Sequence, residues 1–528
     1  MSSPFRSPRP RRRRHFAAFV SAAVIASVAL AGCNGGEGST SSAKPVGDEI
    51  TFGTSATPPS LNPALGDPSY GTLYQWAYDS LVVMKGDGTF APGLAVKWGY
   101  VGEGNMTYDL TLRDAVKFSD GTALDAKAVK TFLDYQRSQK TGSMALLFAK
   151  VASIDVTGPL TLRIALKAPD PNLTFYFAQA FGGGDIVSPK AVANPTSLDK
   201  GTAGAGPYML DAGQTVAGDH YVFVQNPHYW NKDRKRFKKV TVRAIPNSSS
   251  MIQAMSSGQV QAALGDATTL GAARSAGLTV IAPKQALTGL NLGDRGGKMS
   301  KPLADVRVRQ ALNYAVDRKA IAKGLYGDEA LAASQYAFKG QAAYDPELDS
   351  AYPYDPEKAK TLLADAGYAD GFTLPVLTVG ILGLDKVTQA IAGQLKKVGV
   401  TLDITTKPAV GDFFTSMVSG EFPVAALGYG LANMGTLYVG YVNPAGPFNF
   451  FHTDDPKLTA LYNEYFAADA QQGAAVEKEI NAYLTEQAWA VPVVGSPLSY
   501  YLVDGLTGLD ATSANAGVPV LTDLRPAS

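Results

Sequence analysis

A chain of 528 residues, 46% hydrophobic and 18% charged, is too long for one ordinary core and too apolar to be disordered, so two or three globular domains are expected. Its first 32 residues hold six arginines and no acid. The remaining 496 carry 41 basic against 46 acidic residues, a net charge of −5, which argues against the basic face that a nucleic-acid partner demands.

Four arginines, Arg11 to Arg14, precede an apolar stretch over 16–29 and then Leu30-Ala31-Gly32-Cys33. Basic, then apolar, then small residues at a cleavage point is the layout of a secretory signal. The stretch is too short and too alanine-rich for a membrane span, which needs ~20 strongly apolar residues. Arg13-Arg14-His15-Phe16 also fits a twin-arginine export pattern. Leu30-Ala31-Gly32-Cys33 resembles the bacterial lipobox. That resemblance implies that residues 1–32 are removed and that Cys33 receives a lipid and heads the mature chain. Cys33 is the single cysteine, so its lipidation would leave no thiol for disulfides or soft metals. Residues 33–48, rich in Gly, Ser and Thr, read as a flexible tether.

From Glu49 onward, short strand patterns alternate with helical ones, which points to an α/β architecture. Residues 108–112 alternate as a strand, and Ser119-Asp120-Gly121-Thr122 makes a turn. Asp125 is the expected N-cap of a helix that buries Val129, Phe132 and Leu133. Strands are expected over 221–224 and 240–244. Val308, Ala311, Leu312 and Ala315 recur at helical spacing. Asp355-Pro356 starts another helix, which Gly367 can end. Val387, Ile391, Leu395 and Val398 form a further stripe, closed by Gly399 and followed by a strand over 400–404. All these stripes read as core.

Several segments in order resemble family 5 of the extracellular solute-binding proteins, the oligopeptide, dipeptide and nickel receptors of ABC importers. They are Thr57-Pro58-Pro59-Ser60-Leu61-Asn62-Pro63, Gly93-Leu94-Ala95 with Trp98, and the run from Leu112 to Thr122. Further on come Gly204-Ala205-Gly206-Pro207-Tyr208, Asn226-Pro227-His228-Tyr229-Trp230, Asp305 through Arg318, and Tyr354-Asp355-Pro356 through Tyr368. The resemblance implies a type II periplasmic-binding-protein clamshell: two α/β lobes with an extra subdomain in the first. The implied divisions are lobe I over 49–287 with its subdomain over about 70–203, lobe II over 288–490, and a return to lobe I over 491–528. The two hinge crossings are expected over 287–291 and 490–494. The implied role is capture of a small-molecule or peptide ligand by a monomer, held at the membrane through lipid on Cys33, which delivers the ligand to ABC permease and ATPase subunits. A sensory or scaffold lipoprotein on the same fold is the alternative role.

Enzyme chemistry finds little support in the residues. Gly297-Lys298 lacks the glycine five positions upstream that a P-loop requires, and Gly204-Ala205-Gly206 lacks the third glycine of a dinucleotide fingerprint. No Gly-x-Ser-x-Gly elbow is present. His220, His228 and His452 form no pair at zinc-ligand spacing, and His228 reads as a surface or packing residue. No catalytic residue, metal site or cofactor is assigned.

By family placement, the candidate ligand contacts are Thr54, Leu61, Asn291, Tyr429, Asn433 and Tyr438. A tyrosine suits such a site because its ring stacks while its hydroxyl hydrogen-bonds. In peptide-binding members, an aspartate on the second-lobe loop holds the ligand's α-ammonium. The matching stretch, Leu427-Gly428-Tyr429-Gly430-Leu431-Ala432-Asn433-Met434, contains no acid, and Ala432 or Asn433 occupies that place. A neutral amide accepts a hydrogen bond but cannot offset the desolvation of a charge. A peptide-like ligand and a non-peptide one, sugar-like or a metal chelate, therefore both stay open. Phe448-Asn449-Phe450-Phe451 lines either the mouth of the cleft or an edge of the core.

Overall fold

The computed structural model describes residues 46–66, 70–140, 144–327, 330–381, 383–430, 433–509 and 519–527. Cys33, the signal over 1–32 and the tether as far as residue 45 lie outside the described residues.

Local chemistry sets the element ends much as read from the sequence. The Asp125 carboxylate accepts from the Ala128 amide at the start of helix Ala126–Arg137. Val129 and Phe132 on that helix are fully buried. Asp305, Asp317 and Asp355 cap helices Val306–Tyr314, Arg318–Tyr326 and Pro356–Asp365 in the same way. Gly399 takes a left-handed φ of 89° between the helical turn Lys396–Val398 and strand Val400–Lys407, a conformation that costs a side-chain-bearing residue. That strand runs three residues past its expected end because it finds parallel partners along all of strand Phe372–Val379.

Among the described residues the largest sheet has 11 strands. Two long antiparallel strands, Thr279–Leu292 and Ala490–Leu502, lie at its centre and pair along most of their length. On one side, Ala262–Leu264 follows, then Glu49–Thr54, Lys239–Ala244, His220–Gln225 and Tyr208–Leu210. On the other side lie Val424–Gly430, Phe372–Val379 and Val400–Lys407. The parallel pairs of this second wing require crossover helices, which Leu384–Leu395 and Val410–Val418 supply. A separate antiparallel sheet of four strands, Ala95–Tyr100, Thr107–Leu112, Thr161–Leu166 and Val151–Gly158, packs into the core of the first wing.

The segments expected as hinge crossings lie on the two central strands, but 286–292 already pairs with Val424–Gly430 in the second wing. Earlier on the same strand, the register shifts between Ile281 and Lys284. Farther along, the strands approach closely at Gly289, where a Cβ would stand 2.0 Å from the Val491 carbonyl oxygen. The apolar cores follow the same division. One cluster gathers Phe52, Trp76, Phe132 and Phe223 in the first wing. Others gather Val308, Leu312 and Ile391, or Tyr336, Tyr462 and Trp489, in the second.

The segment from Asp305 to Arg318 locks second-wing helices onto a central strand. The Arg318 guanidinium is buried and donates to the carbonyls of Ala333, Pro492 and Asn313 at 3.1, 2.8 and 2.9 Å. Asn313 donates to the Ala490 carbonyl at 3.0 Å. In the first wing, Tyr229 and Trp230 both donate to Asp79 at 3.0 Å, and Arg113 lies over the Trp230 ring. His228 is exposed.

Candidate functional site

Strand Val424–Gly430 leads into the short helix Met434–Leu437, whose N-cap is Asn433. Asn433 Oδ1 accepts from the Thr436 amide at 2.9 Å, while the Asn433 amide donates to the Thr436 hydroxyl at 3.4 Å. This capping box aims the remaining Asn433 Nδ2 at the opposite wing, where it donates to Asn172 Oδ1 at 2.9 Å. The Tyr465 hydroxyl donates to the same oxygen at 3.1 Å. Asn172 is held in turn by Asp170, whose Oδ1 accepts from the Asn172 amide at 3.0 Å and from Nδ2 at 2.9 Å.

Two buried carboxyls and one ammonium surround this contact. Asp170 is raised by burial, with Lys150 3.8 Å away pulling the other way. Burial pushes Lys150 down to about 8, against the pull of Asp170. On the second wing, Glu477 is 5% exposed and accepts from the Met434 amide at 3.3 Å. Burial pushes its carboxyl up to about 7, opposed by the Met434 amide and the Tyr465 hydroxyl. Helix Ala470–Glu486 thus brings an acid behind the Asn433 loop, which carries none of its own.

A second feature lies beside the central strands. Asn291, Tyr336, Tyr429, Tyr441 and Trp489 are among the residues around a small void with room for about one water molecule. Tyr429 meets Tyr441 edge-on at 4.5 Å, and Tyr441 stacks on Phe448 at 4.5 Å. Among the described residues, the hydroxyls of Tyr336 and Tyr429 are buried without a partner in hydrogen-bonding geometry, although the Ala490 backbone and Thr436 stand close. An unmet buried hydroxyl costs ~1–3 kcal/mol, so these groups are ready donors. Nearby, the Arg295 guanidinium lies 3.7 Å over the Trp489 ring and is pushed down to about 9 by burial. Among the described residues, no group of three or more His, Cys, Asp or Glu side chains is placed to hold a metal ion.

The family model for bacterial extracellular solute-binding proteins, family 5 middle, matches residues 89–443. The chain belongs to family 5 of the bacterial extracellular solute-binding proteins. Among similar proteins, the glutathione-binding protein GsiB of Salmonella paratyphi A is 27% identical over 369 residues, covering 67% of this chain and 68% of that protein. Heme-binding protein A of Haemophilus influenzae is 26% identical over 492 residues, covering 85% and 87%. The solved structure of the periplasmic binding protein DppA from Helicobacter pylori with the peptide STSA superposes with a TM-score of 0.79 at 21% identity, covering 90% of this chain and 98% of that one. The two wings are therefore the lobes of a periplasmic-binding-protein clamshell.

In this family 5 protein the six predicted contacts do not form one cluster. Asn291 and Tyr429 meet at the void, where Asn291 Nδ2 is committed to the Phe448 carbonyl at 2.8 Å. Asn433 and Tyr438 face the first lobe. Tyr438 packs on Tyr462 and Phe466 at 4.7 and 5.1 Å, with Lys150 5.9 Å from its ring centroid. Thr54 is buried and donates to the Ala56 carbonyl at 3.1 Å. Leu61 lies in the first-lobe core, and its carbonyl accepts from Tyr78. These two are satisfied structural residues in this conformation. Within the segment 448–451, Asn449 is a fully buried hub that binds Arg295, the Val442 carbonyl and Thr453, so its surroundings are core.

Sequence reasoning missed Asp170, Asn172 and Glu477. Glu477 left a signal: it occupies the buried face Gly473, Val476, Ile480, Leu484, where an acid is out of place. Asp170 and Asn172 left none, because their importance comes from the lobe they face.

Proposed function

We propose that this chain is a lipid-anchored receptor that captures a peptide or peptide-like solute outside the cytoplasm and delivers it to an ABC permease. The lobes divide at the central strand pair, with the first lobe completed by the chain's C-terminal return. The observation that carries the reading is the pairing of a two-lobed fold with a second-lobe loop, Tyr429 to Tyr438, that presents polar and aromatic groups to the first lobe. Solute bridging the lobes would shift the open–closed equilibrium by its differential affinity for the two states. The relatives named for glutathione and the structure holding a tetrapeptide support a peptide-like ligand. Anchoring rests on the lipobox-like sequence before Cys33.

A non-peptide ligand is the second reading, favoured by the neutral Ala432 or Asn433 at the place where peptide receptors of the family carry an aspartate. Native mass spectrometry of the protein purified from its own host separates the two. A released molecule containing amide bonds is expected. Release of a sugar-like molecule or a metal chelate would overturn the peptide reading.

A further inference from the structure

Helix Pro456–Ala467 ends at the lobe interface, and its last carbonyls need partners that the helix itself cannot provide. The Ala468 amide closes back on Glu464 and Tyr465. The Phe466 and Ala468 carbonyls are instead met from the other lobe: Asn105 Nδ2 donates to both, at 3.0 and 2.9 Å. Asn105 sits at a positive φ of 52° in the turn before strand Thr107–Leu112, which points its side chain outward from the first lobe. Beside it, the Lys150 ammonium, which donates to the Pro169 carbonyl of its own lobe at 2.8 Å, stands 3.0 Å over the Phe466 ring of that helix. Asn172 completes the contact with its bonds to Asn433 and Tyr465.

We propose that this contact is a ligand-independent latch: Asn105 of the first lobe caps the C-terminus of a second-lobe helix, Lys150 packs on that helix's Phe466 ring, and Asn172 engages Asn433 and Tyr465, so the unliganded receptor populates a closed state. The latch rests on the two-lobed fold and not on the identity of the solute. It sets how often the empty receptor closes and how far closure by solute differs from the resting state.

Two variants test it with little expected damage to either lobe. Asn105→Gly keeps the left-handed turn and removes both cross-lobe hydrogen bonds. Gly435→Ala adds a methyl within helix Met434–Leu437 that would stand 2.3 Å from Asn172 Nδ2, wedging the lobes apart from the second-lobe side. Spin labels at Val216→Cys and Val418→Cys, exposed positions in the first and second lobes, report the inter-lobe distance by pulsed electron resonance. The measurement uses the chain carrying Cys33→Ser, so that only the two introduced thiols are labelled, freed of bound solute by unfolding and refolding, with nothing added. Unaltered protein is expected to show a short-distance population. Each variant should lower its closed-to-open ratio about fivefold or more, as loss of a net hydrogen bond would. A wild-type distribution with no short-distance population would overturn the latch, as would closed populations unchanged in both variants. Because no ligand is present, either result leaves the transport reading standing on its own test.

Discussion

Arg318 shows how one side chain can hold several segments together. It is buried, has no carboxylate partner among the described residues, and spreads its charge over the carbonyls of Ala333, Pro492, Asn313, Val316 and Tyr352. Burial pushes it down only to about 10, so it stays charged at neutral pH. A planar fork with five donors suits that ring of acceptors, and a lysine ammonium does not. Arg318→Lys should therefore destabilise the protein by about 3 kcal/mol, read as a lower urea midpoint with unchanged slope. A variant as stable as the parent would mean that these bonds contribute little beyond what water offers.

At the scale of elements, helix Ala470–Glu486 combines packing and charge. Its buried face carries Val476, Ile480 and Leu484 into the second-lobe core, with Glu477 among them. The Glu477 carboxyl rises from the ordinary 4.5 to about 7 on folding. Between those values the folded chain holds a proton that the unfolded chain has lost, so this contribution to stability falls as pH rises through that window. Asp185, pushed up to about 8 by burial, adds a slope of the same sign. Glu477→Gln removes one part of it. The variant should gain about 2 kcal/mol on the parent between pH 5 and pH 8, measured by denaturant unfolding at each pH. A constant difference across that range would show that Glu477 stays ionised in the folded protein.

For the whole molecule, the proposed membrane attachment and the proposed ligand capture draw on separate parts of the chain. The proposed lipid site, Cys33, precedes the described residues, while the candidate contacts lie on strands and loops from Thr54 to Tyr438. Cys33→Ser should release the receptor from the membrane fraction with its ligand affinity unchanged, as fractionation and calorimetry on the released protein would show. Loss of binding in the released form would tie anchor and site together. The central strand pair is the other whole-molecule feature. Thr279–Leu292 and Ala490–Leu502 pair residues about 200 positions apart in sequence, and both lobes hang from them.

Caps, turns and apolar stripes were legible because each depends on residues a few positions apart: Asp125 and Ala128, Asp355 and Lys358, Val387 and Ile391. The ordered motifs carried the family, since Arg318, Asn313 and Trp230 are packing residues whose neighbours come with the fold. The candidate contacts separate once the chain is folded. Asn433 and Tyr438 lie at the lobe contact, whereas Thr54 and Leu61 are committed to their own lobe. What the sequence by itself determined is the set of elements and the family. Tertiary structure alone decided what faces what across the cleft: Asn433 meets Asn172 across 261 residues, and Asn105 meets Phe466 across 361. Local periodicity carries no information over such distances, because lobe closure, not chain neighbourhood, brings those groups within hydrogen-bond reach.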